Sequence, residues 1–171
     1  MQTLEPGHEI VQIVDRENTE VGTCSRGEMR IRGLIHRACY IFVKNSSGDI
    51  FVQKRTTTKD IYPGYWDVAA GGVVLAGESY DLSAQREAAE ELGITDCPFF
   101  AHFDHFYESG DNKVWGRVYT CIHEGPFVLQ EEEVSEGKFV NPREIAHLCE
   151  SAPFTPDGLQ ILALLLQKKI L

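Results

Sequence analysis

Positive charge is scarce in this chain. Its 16 lysines and arginines face 26 aspartates and glutamates, giving a formal net charge of −10. That balance argues against nucleic-acid partners, because a phosphate backbone is held by clustered Lys and Arg. It also means that a small polyanion would need a metal or a local basic patch. Cysteine pairs are missing too. Cys24, Cys39, Cys97, Cys121 and Cys149 are scattered, with no C-x-x-C spacing, which predicts neither a disulfide framework nor a zinc knuckle. With an N-terminus that lacks a basic segment followed by an apolar one, this predicts a cytoplasmic protein without a secretory signal. No apolar run is long enough to span a bilayer, since the richest, 159–166, covers eight residues where about 20 are needed. No repeat, low-complexity tract or linker interrupts the 171 residues. A single domain over 1–171 is expected, with a leader hairpin and short helix over 1–34 and a core over 35–171.

The richest stretch runs from Gly72 to Ile94, GVVLAGESYDLSAQREAAEELGI. Ser79 is suited to cap a helix, Asp81 to face its positive end, and Gly93 to terminate it in a left-handed conformation. On that helix Glu87, Glu90 and Glu91 fall at i, i+3 and i+4 and share one face. Ala84, Ala88 and Leu92 form a thin apolar stripe on another. Three carboxylates together repel, and Arg86 is the only cation in the helix. The spacing by itself suits two readings, a solvated acidic face or an oxygen-rich site for a hard divalent cation.

Strands are expected at Glu9–Val14, Val21–Cys24, His36–Val43, Ile50–Arg55, Pro98–Tyr107, Lys113–Ile122 and Lys138–Val140, with a shorter one at Pro126–Leu129. Ser25 and Glu28 have capping-box spacing for a short helix. Asn141-Pro142 and Thr155-Pro156 announce two more. The last is apolar almost all round, which predicts burial against the sheet or against a second copy in a homodimer. His102, His105 and His123 have no mutual metal spacing. Thr56–Trp66 reads as a loop, preceded or entered by Lys54, Arg55 and Lys59. Glu131–Glu136 reads as a second, acidic loop.

Gly72, Glu78, Arg86, Glu87, Glu90, Glu91 and Gly93 occupy every fixed position of G-x5-E-x7-R-E-U-x-E-E-x-G-U, with Ala88 and Ile94 at the aliphatic places. In this the chain resembles the Nudix hydrolases, and the whole combination is most similar to their YfcD-type bacterial branch. The resemblance implies an α+β fold, an α/β/α sandwich with a mixed sheet. It implies Mg²⁺ or Mn²⁺ on Glu87, Glu90 and Glu91, helped by a backbone carbonyl near Gly71. Glu78 and Arg86 would pair and hold the loop to the helix, between Gly72 and Gly93. The implied reaction is hydrolysis of a small-molecule diphosphate, a nucleoside diphosphate or similar group linked to a moiety X. Glu91, or a glutamate of the acidic loop such as Glu132 or Glu133, would take the proton from the attacking water.

A second resemblance covers residues 36–71. His36, Ala38, Arg55, Lys59, Pro63, Gly64 and Trp66 are similar to the type I isopentenyl-diphosphate isomerases, in which the corresponding Arg and Lys hold the diphosphate. Arg55 and Lys59 are therefore expected to bind phosphate, with Trp66 stacking on substrate or packing in the core. The isomerase's catalytic cysteine and a metal-binding histidine are replaced by Gly71 and Val73, and Val114–Tyr119 offers no carboxylate. The expected activity is thus Mg²⁺-dependent phosphoanhydride hydrolysis. The alternatives are an isoprenoid-diphosphate enzyme and a non-catalytic diphosphate-binding module.

Overall fold

A computed structural model describes residues 6–171; the first five residues of the leader lie outside the described residues. The leader contains β1 (Ile10–Val14), β2 (Glu20–Ser25) and helix α1 (Arg26–Arg32). Then follow β3 (His36–Lys44), β4 (Ile50–Arg55), β5 (Trp66–Asp67), α2 (Tyr80–Leu92), β6 (Phe100–Ser109), β7 (Asn112–Ile122), β8 (Val134–Val140), α3 (Ile145–Leu148) and α4 (Pro156–Gln167). The class is α+β, as the resemblance implied. The eight-stranded sheet is mixed: β3 runs parallel to β7 over nine residue pairs, and β6–β7, β4–β8 and β1–β2 are antiparallel.

Alternation along β3 builds the layers. Cys39, Ile41 and Val43 face α2 and pack with Ala84, Ala88 and Leu92. Phe42, between them, faces Ile161, Leu162 and Leu165 of α4 on the opposite side. β4 repeats the device, with Phe51 toward α2 and Ile50 and Val52 toward α4. Period-two patterning thus supplies both halves of the core. Full burial of each Ile or Leu contributes about 1.5–3 kcal/mol. The small Ala84 and Ala88 let α2 approach the sheet closely. The terminal helix accordingly spends its apolar face on this sheet. Among the described residues no helix is long and apolar enough to cross a membrane.

Four expectations need correction. Pro126–Leu129 is no strand; the amides of Val128 and Gln130 donate instead to the carbonyls of Leu92 and Glu91, 3.0 and 3.1 Å away. These are the free carbonyls at the end of α2, so the segment closes a helix rather than extending a sheet. β8 begins at Val134, inside the acidic run, because it pairs with β4, where Glu136 lies opposite Lys54. Trp66 and Asp67 leave the loop to form β5 against Lys54 and Gln53. The helix announced at Asn141-Pro142 is a 3-10 turn, Pro142–Glu144, running into the single turn of α3.

The leader is fastened by charge. Arg26 and Arg30 of α1 both bond Asp60, at 3.2 and 3.0 Å, and Arg26 also bonds Glu9 at 3.1 Å. Burial alone would raise the Asp60 pKa, yet the two guanidiniums hold it well below the usual carboxylate range. Asp60→Asn is expected to cost about 2 kcal/mol at neutral pH. The folded pKa lies below the unfolded value of about 3.9. The contribution is therefore complete above that value and fades as pH falls below it. Denaturant titrations of both proteins from pH 7 to pH 3 should show the gap closing only at the acid end.

Candidate active site

Helix α2 takes the form its sequence dictates. The Ser79 hydroxyl accepts from the Leu82 amide, and Gly93 closes the helix with φ +70°. Arg86 then organises the preceding loop. Its Nε and Nη2 donate to the two Glu78 oxygens at 2.7 and 3.0 Å, and Nη2 reaches the Val73 carbonyl at 3.3 Å. Glu78 also accepts from the Leu75 amide. Loop and helix are thereby locked together.

Glu91 is buried, with only 4% of its surface exposed. Its Oε2 accepts from Gln53 Nε2 at 3.0 Å and from the Gly71 amide at 3.2 Å. Glu87 lies directly over Gly72, so near that a Cβ there would meet its Oε1 at 2.5 Å. Burial, then the Glu91 charge, push the Glu87 carboxyl up to about 7 despite Arg86. Glu90 is half exposed and shares Arg86 Nη1 with Glu87, at 3.3 and 2.7 Å. Among the described residues no three His, Cys, Asp or Glu side chains stand already gathered as a ligand cluster. Glu87 and Glu91 nonetheless offer hard oxygen donors, desolvated and mutually repelling, which is the setting a divalent cation relieves.

None of the three glutamates lines the neighbouring cleft of about 70 Å³; Gly71 and Gly72, which Glu91 and Glu87 contact, do. Arg55 and Lys59 line it too. Arg55 donates to the Ile61 carbonyl at 3.0 Å and lies 3.6 Å from Asp67. Lys59 is ion-paired with Glu133, and burial keeps its pKa below the ordinary lysine value. Trp66 stands apart, stacked on Phe154 at 6.4 Å between centroids in the α4 layer.

Several lining residues carry no motif signal. Arg26 and Arg30 reach the cleft from α1, and Asp157 from the first turn of α4. Gln53 had one usable signal, a polar side chain in the apolar run IFVQ. Cys39 is far from the box in sequence, yet its Sγ lies 3.7 Å from the Gly72 carbonyl. Burial and Glu87 push that thiol up to about 12, so it is no nucleophile at neutral pH. His36 is likewise held neutral, lowered to about 3 by burial and Arg30, with Nδ1 3.2 Å from the Leu34 carbonyl.

Fold, box and cleft together define a Nudix domain, and the sequence model of that domain matches residues 34–165. The chain belongs to the Nudix hydrolases, pyrophosphohydrolases of diphosphate-containing compounds. It is 48% identical over 160 residues to the uncharacterised Nudix hydrolase YfcD of Escherichia coli K12, covering 94% of this chain and 88% of that one. Among solved structures, DR0079 from Deinococcus radiodurans superposes with a TM-score of 0.80 at 22% identity, covering 91% of this chain and 98% of that one. The NUDIX domain of Shewanella oneidensis NrtR, complexed with ADP ribose, gives 0.61 at 15% identity over 80% and 88% of the two chains. These two likenesses concern the fold.

Proposed function

We propose that this protein is a Mg²⁺- or Mn²⁺-dependent pyrophosphohydrolase acting on a nucleoside diphosphate derivative or a similar X-linked diphosphate. The carrying observation is that Glu91 and Glu87 contact Gly71 and Gly72, two glycines that line a cleft also lined by Arg55 and Lys59. Glu87, Glu90 and Glu91 would hold the cation. Once bound, it would neutralise diphosphate charge and acidify a water molecule. Every other task falls to side chains. Arg55 offers a planar fork to a phosphate and Lys59 a point charge. Gln53 and the Gly71 amide fix the Glu91 carboxylate before substrate arrives. Glu133, released from Lys59 as phosphate takes its place, could accept the proton; Glu91 is the other candidate. The leader belongs to the same working unit, because its arginines border the same cleft.

The test is metal-dependent turnover of a panel comprising ADP-ribose, other nucleoside diphosphate sugars, dinucleotides, nucleoside triphosphates and isopentenyl diphosphate, with product masses. Hydrolysis products that require Mg²⁺ support the reading. Binding without product under any metal would favour a binding module, and a shifted double bond on an intact diphosphate an isomerase. Lys59→Ala is expected to raise KM about tenfold with a smaller fall in kcat, and steady-state kinetics on the best substrate would read it. A kcat loss with unchanged KM would remove Lys59 from phosphate binding.

A further inference from the structure

The loop that carries Lys59 is tied to the leader through a carboxylate. Asp60 Oδ2 accepts from Arg26 Nε at 3.2 Å and from Arg30 Nε at 3.0 Å, and its Oδ1 accepts from Arg26 Nη2 at 3.4 Å. The same Oδ1 accepts from the Ile61 amide at 3.0 Å. The Ile61 carbonyl in turn accepts from Arg55, from Nε at 3.2 Å and from Nη2 at 3.0 Å. A run of contacts thus leads from helix α1 through Asp60 and Ile61 to the Arg55 guanidinium. Arg26, Arg30, Ile61 and Arg55 all line the cleft. Charge decides what this run does. Arg26 and Arg30 are balanced by Asp60 and by Glu9, which accepts from Arg26 at 3.1 Å, so the cluster as a whole offers a phosphate no net charge. Arg55 is held differently. Its bonds go to a neutral carbonyl, which fixes the guanidinium plane without cancelling its charge, and its paired carboxylate, Asp67, stands at 3.6 Å, beyond hydrogen-bond range. An isolated exposed ion pair would hold a loop weakly. Asp60, however, is shared by two guanidinium side chains only 16% and 19% exposed, a network rather than a lone pair.

We propose that Asp60 is a positioning residue, which orients Arg55 for the substrate diphosphate by anchoring Ile61 to the leader helix. The leader then sets the geometry of the phosphate site without touching phosphate. A guanidinium gives phosphate directional N–H bonds, so its orientation as well as its charge sets affinity. The inference rests on the reading of Arg55 as a phosphate-binding residue. The rival role for α1 predicts the opposite sign. If Arg26 and Arg30 bound the anion directly, removing the Asp60 charge would free two guanidiniums and tighten binding. If Asp60 positions Arg55, removing that charge weakens binding, and only while Arg55 is there to be positioned.

Calorimetric titration of the full chain with methylenediphosphonate in Mg²⁺ measures diphosphate binding without turnover, because the P–C–P bridge resists hydrolysis, and without any X group. Asp60→Asn keeps an oxygen for the Ile61 amide and loses the charge that holds the two arginines. In a double-mutant cycle with Arg55→Ala, it is expected to weaken the analogue about five- to tenfold when Arg55 is present and by less than about twofold when it is not. An Asp60 that merely supported the fold would weaken binding equally in both backgrounds. Thermal melts show whether each variant is folded at the titration temperature. Asp60→Ser, which also keeps an acceptor for the Ile61 amide, replaces the asparagine variant if that one is not. Equal weakening in the two backgrounds, tighter binding or no change overturns the proposal, and a loss on Arg55→Ala alone leaves the phosphate role of Arg55 standing. Wild-type protein that does not bind the analogue, or binds it as well without Arg55, overturns that role and this proposal with it.

Discussion

Glu91→Gln is expected to lower metal-dependent turnover about 10³-fold or more while leaving the melting temperature unchanged or slightly higher. The two effects separate because the residue is electrostatically costly. Glu91 is buried beside Glu87, and its charge is the second cause, after burial, of the raised Glu87 pKa. An amide keeps an oxygen for Gln53 and Gly71 and removes one of two repelling charges, so the fold loses nothing. Chemistry loses a hard ligand or a proton acceptor, either of which is worth about 10²–10⁴ in rate. Initial rates with and without Mg²⁺, beside a calorimetric melt, decide the matter. A variant that keeps more than a tenth of the wild-type rate would place Glu91 outside the reacting groups.

Gly71→Ala is expected to reverse that pattern, damaging stability first. The residue has φ +140°, and an added Cβ would lie 2.0 Å from the Cys39 carbonyl oxygen and 2.9 Å from its carbon. Both are backbone atoms of the central strand β3, which cannot step aside. The cost should be about 3 kcal/mol or more, from strain and overpacking together, and urea denaturation would measure it. Gly72→Ala is the informative neighbour. The three atoms its Cβ would meet first all belong to the Glu87 carboxylate, the end of a flexible side chain. The melting temperature should change little, and activity should fall because Glu87 is turned away. If both alanines destabilise equally, Gly72 matters for backbone reasons as well.

Much of this site was legible because one helix writes its own rules. Ser79, Gly93, the alanine stripe and the glutamate spacing are local signals, and α2 follows them residue by residue. The two resemblances added Arg55, Lys59, Gly71 and Glu133, which the fold brings to one region although they are far apart in sequence. The unread remainder is what only tertiary structure can bring together. Gln53 meets Glu91 across 38 positions, and Tyr40 meets Asp157 across 117; neither pair has a characteristic spacing. Trp66 illustrates the opposite limit. Its neighbours Pro63 and Gly64 fit the isomerase pattern, yet β5 turns the ring toward Phe154. The strand expected at Pro126–Leu129 failed for a related reason, since its amides found helix carbonyls before sheet partners.

That last detail sets a mechanical limit. The backbone of Gln130 is tied to the final turn of α2 at Glu91, and Glu133 follows three positions later, bonded back to Gln130 by its own amide at 2.9 Å. The two candidate proton acceptors are therefore linked through a span of main chain too short to flex independently. One inserted residue between Gln130 and Glu133 would lengthen that tether and retune the distance between the carboxylates, with every reactive side chain left in place. Length variants here would act as a ruler for the reaction.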